Sequence, residues 1–449
     1  MSDYLSLLER KAEALRPPHD SFRRTLAVRE ERHRRRRRNR RVTSALLAAA
    51  VFSAGLTAAL RAFHHHGVPG HRPRPTPIGV APHGVGPVRS IQVISPSRAV
   101  AVTRHAVITT VDSGRHWVDA SPRGFRRFVS ARVFFLDRDR GWIAAVTTGL
   151  NPPGAVTVFR TTDGGGSWAR VSLPTPRPVA ASLYGQAPQL GFSDARHGWI
   201  WFDMVSPSPL LITSDGGASW RRGPSMDSRD QTKSITFTSA TEGWAVRDHE
   251  IPIDSRTDLE VDLLYRTVNG GGTWERVGLP DPPFDVVPSP RPPAVMLGTP
   301  RFFGPEGVLP AWAAQRGSRA LFAYVTEDGG ATWRATSRIP VKQGLGSPIF
   351  PASVDSPSIW HFASTSGRMA TTTDVGRTWS VLDLRRVFPR GPSGLAFSTE
   401  GTGWALACGS YSGELNDRVD CLDGASGLWR TDDGGATWQL VLGGHRSRP

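Results

Sequence analysis

The carboxylates best able to do chemistry in this 449-residue chain are Asp227, Asp230, Glu250, Asp254, Glu414 and Asp417. All six lie in irregular polar stretches. Two carboxyl groups flanking a glycosidic bond can hydrolyse it, one as acid and the other as base or nucleophile. As a glycosidase the chain would use Glu250, Asp254, Glu414 and Asp417; solvated loop charge is the alternative reading for each. Of the five tyrosines, Tyr184 and Tyr411 share such stretches. Gln186, Arg229, His249, Arg256, Asn416 and Arg418 complete a set suited to binding. No P-loop, nucleotide fingerprint, HExxH or nucleophile elbow occurs, so no cofactor is expected. His64–His66, His71 and His83 lack carboxylate or thiol neighbours, and no metal site is assigned.

Something must position these groups, and the chain's repeats supply it. An octet recurs seven times, most cleanly as TTDGGGSW (161–168), TSDGGASW (213–220), TEDGGATW (326–333) and TDDGGATW (431–438). Looser copies are TVDSGRHW (110–117), TVNGGGTW (267–274) and TTDVGRTW (372–379). Their acidic or amide positions, Asp112, Asp163, Asp215, Asn269, Asp328, Asp374 and Asp433, are 51, 52, 54, 59, 46 and 59 residues apart. A short carboxylate or amide accepts bonds from nearby backbone N–H groups and closes a tight turn. Glycine behind it takes up backbone angles that other residues resist. Asn269 keeps the acceptor and loses the charge, which assigns the octets a structural job. Ahead of most octets stands an aromatic, a polar turn and Gly-Trp: FLDRDRGW (135–142), FSDARHGW (192–199), FTSATEGW (237–244) and FSTEGTGW (397–404). Ile94–Val100, Phe303–Gly307 and Ser358–Trp360 are read as the first and two degraded copies. Each unit then holds four short strands: A before the polar turn, B from Gly-Trp, C into the octet and D out of it.

The octet resembles the Asp-box, or BNR repeat, of sialidase-like β-propellers, and residues 89–443 resemble the photosystem II assembly-factor and other YVTN/BNR-like members. The resemblance implies an all-β fold, a seven-bladed propeller of four-stranded antiparallel blades. It also places octets and A–B turns on one face and B–C and D–A connections on the other. Long connections on a rigid scaffold carry function. The B–C insertions are expected at 148–155, 247–261 and 408–421, and the D–A connections at 174–189, 224–233 and 280–297. Every candidate named above maps to that second face. Cys408 and Cys421 would then close one B–C loop as a disulfide after export. The sialidase pattern is incomplete, since the F-R-I-P motif and an arginine triad are missing. A non-catalytic module for a protein, peptide or envelope glycan is therefore expected, with a sialidase-like or other glycoside hydrolase as the alternative.

The net charge of +16 is concentrated at the start. Residues 1–41 hold 14 Lys/Arg against six Asp/Glu, hence +8, and the other 408 residues share the rest. A nucleic-acid partner would call for a basic stripe on the folded domain, and none is expected. Residues 3–15 have the spacing of a short amphipathic helix. Val42–Leu60 carry no charge and as a helix would span about 28 Å, near the ~30 Å of a bilayer core. The arginines before it place the head in the cytoplasm and the propeller outside the cell of a bacterium. A cleaved signal peptide is the rival, with an unusually long basic region. The expected order is a basic head (1–41), a single-pass signal-anchor (42–60), a Pro/His-rich linker (61–88), the propeller (89–443) and a tail (444–449), as a monomer.

Overall fold

Strand bounds follow the repeats closely. Blade 1 comprises β1 (Val88–Val93), β2 (Ala99–Thr103), β3 (Val107–Thr110) and β4 (Val118–Asp119). Blade 2 comprises β5 (Phe128–Phe135), β6 (Gly141–Thr147), β7 (Val156–Thr161) and β8 (Ala169–Val171). Blade 3 comprises β9 (Gln189–Phe192), β10 (Gly198–Trp201), β11 (Leu210–Thr213) and β12 (Arg221–Arg222). Blade 4 comprises β13 (Gln231–Phe237), β14 (Gly243–Pro252), β15 (Asp258–Thr267) and β16 (Glu275–Val277). In blade 5 the inner strand is split into β17 (Ala294–Leu297) and β18 (Arg301–Phe303), followed by β19 (Glu306–Gln315), β20 (Ser318–Thr326) and β21 (Arg334–Ala335). Blade 6 comprises β22 (Ala352–Val354), β23 (Trp360–Ala363), β24 (Arg368–Thr372) and β25 (Ser380–Asp383). Blade 7 comprises β26 (Gly394–Phe397), β27 (Gly403–Cys408), β28 (Ala425–Thr431) and β29 (Gln439–Gly443). Neighbouring strands in each blade pair antiparallel. The architecture is a seven-bladed β-propeller.

The computed structural model describes residues 78–83, 85–147, 156–174, 188–202, 210–224, 231–252, 258–284, 292–341, 352–364, 366–389, 391–399, 401–408 and 425–443. The helical head, the signal-anchor and most of the linker expected from sequence lie outside them. Among the described residues no helix is long and apolar enough to cross a membrane.

The Phe–Gly pair is what fixes each blade's register. Phe397 stands opposite Gly403, and a Cβ on that glycine would meet the Phe397 ring at 2.4 Å. Only glycine lets the strand-A ring lie across strand B. The Trp that follows Gly stacks on the aromatic of the next blade: Trp142 on Phe192 at 3.5 Å, Trp244 on Phe302 at 5.0 Å. Each such phenylalanine is thus held between its own glycine and the preceding blade's ring.

Three degraded copies of this signature sit one residue from where the sequence spacing puts them. The partner of the octet threonine marks the glycine position, and in blade 6 Thr372 pairs with Trp360. Trp360 therefore occupies the glycine site opposite Val354, with large and small exchanged. His361 takes the tryptophan's role and stacks on Phe397 at 3.6 Å. In blade 5 the covering ring is Phe302, which faces Gly307, and in blade 1 the position belongs to Val93, opposite Ala99.

The inner strands also satisfy each other's exposed edges. The Gln92 amide donates to the Phe135 carbonyl and accepts from the Phe135 N–H, both at 2.8 Å. Gln189 does the same toward Lys233 and Ile235, and Ser353 Oγ accepts from Phe397 N–H at 2.8 Å. A buried backbone donor left unpaired would cost about 1–3 kcal/mol.

The ring closes between blades 7 and 1. Trp404, Leu406, Leu428 and Val441 pack with Val88, Ala99, Ile108 and Trp117 in one core cluster. Residues 78–87, counted with the linker in the sequence reading, take part: Ile78 and Gly79 N–H groups donate to Leu440 and Val441 carbonyls at 2.9 Å. The Val80 carbonyl accepts from Trp117 N–H at 2.9 Å. No strand is exchanged between the two blades.

Candidate functional site: the blade 4 hairpin and its surroundings

The stretch 247–261, expected as a loop insertion, is mostly paired strand. β14 and β15 run in register from Gly243↔Thr267 to Pro252↔Asp258. The innermost strand β13 follows β14 only as far as Gln231↔Asp248. Beyond that point the hairpin carries on with no lateral strand of its own blade, and it does so on the B–C/D–A side.

Its register brings like charges together. Asp248 faces Asp262 and Glu250 faces Glu260. Residues two apart on a strand share a face, so the four carboxylates form one ladder. Directly opposed like charges are destabilising. One cation answers them. Lys233 is the extra residue of a β-bulge between Thr232 and Ser234, a device that re-aims a side chain. Its ammonium lies 2.5 Å from Asp262 Oδ1 and 3.8 Å from Asp248 Oδ1. The other Asp262 oxygen accepts from Leu297 N–H, at 2.8 Å, on the inner strand of blade 5. Asp262 has a side-chain exposure of 0% and is fully engaged; Asp248 is 21% exposed, and its buried Oδ1 has no hydrogen-bond partner.

Desolvation dominates the electrostatics here. Burial pushes the Asp248 carboxyl up to about 6, with Lys233 opposing and Glu260, Asp262 and Glu250 adding to the rise. Burial also raises Asp262 against the pull of Lys233. On the opposite face of β14, the Arg247 guanidinium lies 4.9 Å from the Tyr265 ring.

A second charged region lies across the axis on the same face. Arg104 and His105 form the B–C turn of blade 1, and Arg126 sits in a short 3-10 turn (Phe125–Arg127) on the connection to blade 2. The His105 pKa is lowered by burial and then by Arg104, Arg126 and Arg89. Arg104 and Arg126 are exposed. The described inner strands carry Arg89, Arg132, Lys233 and Arg301 and no Asp or Glu. A cavity of about 630 Å³ lies at the octet end of the axis, lined by inner strands of all seven blades.

The octets, by contrast, spend their acids internally. In the third, Thr213 Oγ1 and Ser219 N–H donate to one Asp215 oxygen at 2.8 and 2.9 Å, and Ser219 Oγ to the other at 2.6 Å. Asp163, Asp328, Asp374 and Asp433 repeat the pattern, and His116 supplies the last bond to Asp112. These hydrogen bonds hold Asp215, Asp328 and Asp374 down at about 2. Asn269 accepts from Thr267 and from Thr273 N–H and donates to Thr273 Oγ1.

Of the residues nominated from sequence, His249 and Glu250 fall on the hairpin ladder. Tyr184, Gln186, Asp227, Arg229, Asp230, Asp254, Arg256, Tyr411, Glu414, Asn416, Asp417, Arg418 and Cys421 lie outside the described residues. Cys408 ends β27, opposite Ala425. Asp248, Glu260, Asp262 and Lys233 were missed. Their signals were present: acids two apart on both arms of 247–262, and a lysine in a chain that otherwise uses arginine. Among the described residues no group of His, Cys, Asp and Glu is arranged to hold a metal ion.

No protein-family model matches the chain, and no curated protein matches it in sequence. Solved structures do. YCF48 bound to a D1 peptide is 17% identical, covering 81% of this chain and 99% of that one, with a TM-score of 0.48. YCF48 from Cyanidioschyzon merolae is 17% identical over 79% of this chain and 97% of that one, with a TM-score of 0.45. The GH74 xyloglucanase from Xanthomonas campestris is 15% identical over 83% of this chain but 56% of that one, with a TM-score of 0.49. The likeness is one of fold.

Proposed function

We propose that this chain is a membrane-tethered, extracytoplasmic propeller that binds a protein or peptide on its B–C/D–A face without catalysing a reaction on it. One observation carries the reading: that face holds an acidic ladder on blade 4 and an arginine-rich region at blades 1 and 2. A partner bearing both signs of charge, as a folded protein or mixed peptide does, can satisfy both regions at once. A uniformly charged glycan would be repelled by one of them. Rows of charge set on paired strands and tight turns steer encounter and fix orientation more than they add affinity. Tethering rests on the uncharged Val42–Leu60 segment behind its arginine run.

Photo-crosslinkers placed in the full chain at His249, at Arg104 and at the exposed octet residue Val268 test this in cell envelopes. Adducts from the first two, weakened by salt, and none from Val268 are expected. Adducts only from Val268 would reverse the assignment of faces.

A second reading keeps the glycoside hydrolase. It is favoured by Asp248, a carboxyl pushed up to about 6 beside Glu250 and Glu260, the condition a general acid requires. Turnover of chromogenic glycosides that Asp248→Asn or Glu250→Gln abolishes would establish it. The binding reading expects no turnover from either the wild-type chain or the variants.

A further inference from the structure

We propose that the blade 4 hairpin is zipped and unzipped by a single proton at its base. Asp248 and Asp262 share Lys233, and losing the proton they hold opens the outer half of β14–β15. In part this deepens the binding reading, because it supplies a control on the platform described there.

Charge counting at the base of the hairpin carries the argument. Three strands converge on the cluster and bring Asp248 and Glu250 from β14, Asp262 and Glu260 from β15, and Lys233 from β13. Blade 5 contributes only the Leu297 N–H. Arg247 and His249 point to the opposite face of β14 by strand alternation. Four carboxylates therefore face one ammonium. Asp262 takes the ammonium at 2.5 Å and the amide at 2.8 Å, so Asp248 is left at 3.8 Å from the cation and across the ladder from another carboxylate. A proton between Asp248 and Asp262 turns a repulsive pair into one that can share a hydrogen bond.

Asp248 is the hinge point because β13 stops beside it. Below it, β13 and β16 brace the hairpin. Above it, residues 249–252 and 258–261 depend on each other alone. Repulsion at the last braced rung is relieved most easily by parting the unbraced ones.

The direction follows from proton binding. Closed hairpin holds a carboxyl whose pKa is raised to about 6, while in the open form the group returns toward its ordinary 3.8. The closed form binds the proton more tightly, so closing is fully favoured below about pH 4 and that preference is lost as pH rises through about 6.

Hydrogen exchange of the full-length chain, read on peptides spanning 243–267 and corrected for intrinsic exchange, tests this between pH 5 and 8. Protection of residues 249–252 and 258–261 is expected to fall by up to about 100-fold across the range. Blade 2 peptides should not change. In Asp248→Asn the protection should stay high at pH 8. A flat profile in the wild type, or an unaltered one in the variant, overturns the proposal. Should Asp248→Asn also loosen blade 2, Glu260→Gln decides instead. Removing that neighbouring charge must lower the midpoint, and an unmoved midpoint counts against the mechanism. No partner is present in these measurements, so their failure leaves the binding reading standing, and failed crosslinking leaves this one standing.

Discussion

Two sets of aspartates in this molecule behave oppositely. Octet carboxylates lie at the solvent surface, yet hydrogen bonds from their own turn keep them ionised well below the usual range. Asp248 and Asp262 lie inside a sheet that adds further acids, and burial drives them the other way. The difference is supply of donors. In an octet one carboxylate receives three or more N–H and O–H donors; at the hairpin base two carboxylates compete for one ammonium and one amide. Groups satisfied from within are bound to hold a shape. Groups left short of partners can respond to a proton or a ligand.

The octet side of the comparison breaks most severely at Gly330. Its φ is +81°, and a Cβ there would sit 2.2 Å from the Trp244 ring of the preceding blade. Overpacking and left-handed strain together should cost Gly330→Ala about 3 kcal/mol or more. Its neighbour Gly329 has φ +67° and nothing within 4 Å, so Gly329→Ala should cost only about 1–2 kcal/mol. Thermal unfolding of the two variants reads the difference; equal losses would mean that the Trp–glycine seam contributes nothing beyond backbone angle.

On the hairpin side the largest effect belongs to Lys233→Met. Leaving buried carboxylates without their cation costs on the order of 3 kcal/mol. The loss should be full at pH 8 and shrink at pH 5, where the acids neutralise themselves. Denaturant unfolding at the two pH values checks it, and a pH-independent loss would mean that Lys233 acts through packing alone.

Sequence showed the octet side far better than the hairpin side. Seven copies of one turn at similar spacing reveal blade number and strand order, because each copy repeats the same local bonds. Register was less visible. The nearest aromatic suggested Ile94, Phe303 and Trp360, whereas pairing with the octet threonine selects Val93, Phe302 and His361. Trp360 misleads because its blade exchanges the sizes of a packed pair, which no single position discloses. The hairpin was read as a loop because RDHEIPIDSRTDLEV has no apolar alternation. Its period of two is carried by charge, and only the ladder shows which acids face which.

Smaller effects sharpen the contrast. Asp215→Ala removes the acceptor for Thr213, Ser219 N–H and Ser219 Oγ and should cost about 1–2 kcal/mol, the scale of losing a helix cap. The loss should be present at neutral pH. Because the folded pKa is lowered to about 2, the ionised octet's contribution is complete above about pH 4 and disappears as pH falls through 2. Acid therefore weakens the octets over a range in which it closes the hairpin.

The smallest effect discriminates best. Asp215→Asn should leave neutral-pH stability within a few tenths of a kcal/mol, because the fourth octet already runs on an amide. There Asn269 Oδ1 accepts from Thr267 and Thr273 N–H at 3.0 and 2.9 Å, and the Thr273 hydroxyl turns from donor to acceptor for Nδ2 at 3.0 Å. Ser219 can make the same turn toward an amide at 215, since a hydroxyl serves either role. What the variant must lose is sensitivity to acid, for nothing remains at that site to protonate near pH 2. Unfolding curves between pH 2 and 4 should therefore favour Asp215→Asn over the wild type even though the two coincide at pH 7. A loss at pH 7 comparable to that of Asp215→Ala would show that charge, and not the count of donors and acceptors, holds the octet together, and the contrast with the hairpin would then fail at its root.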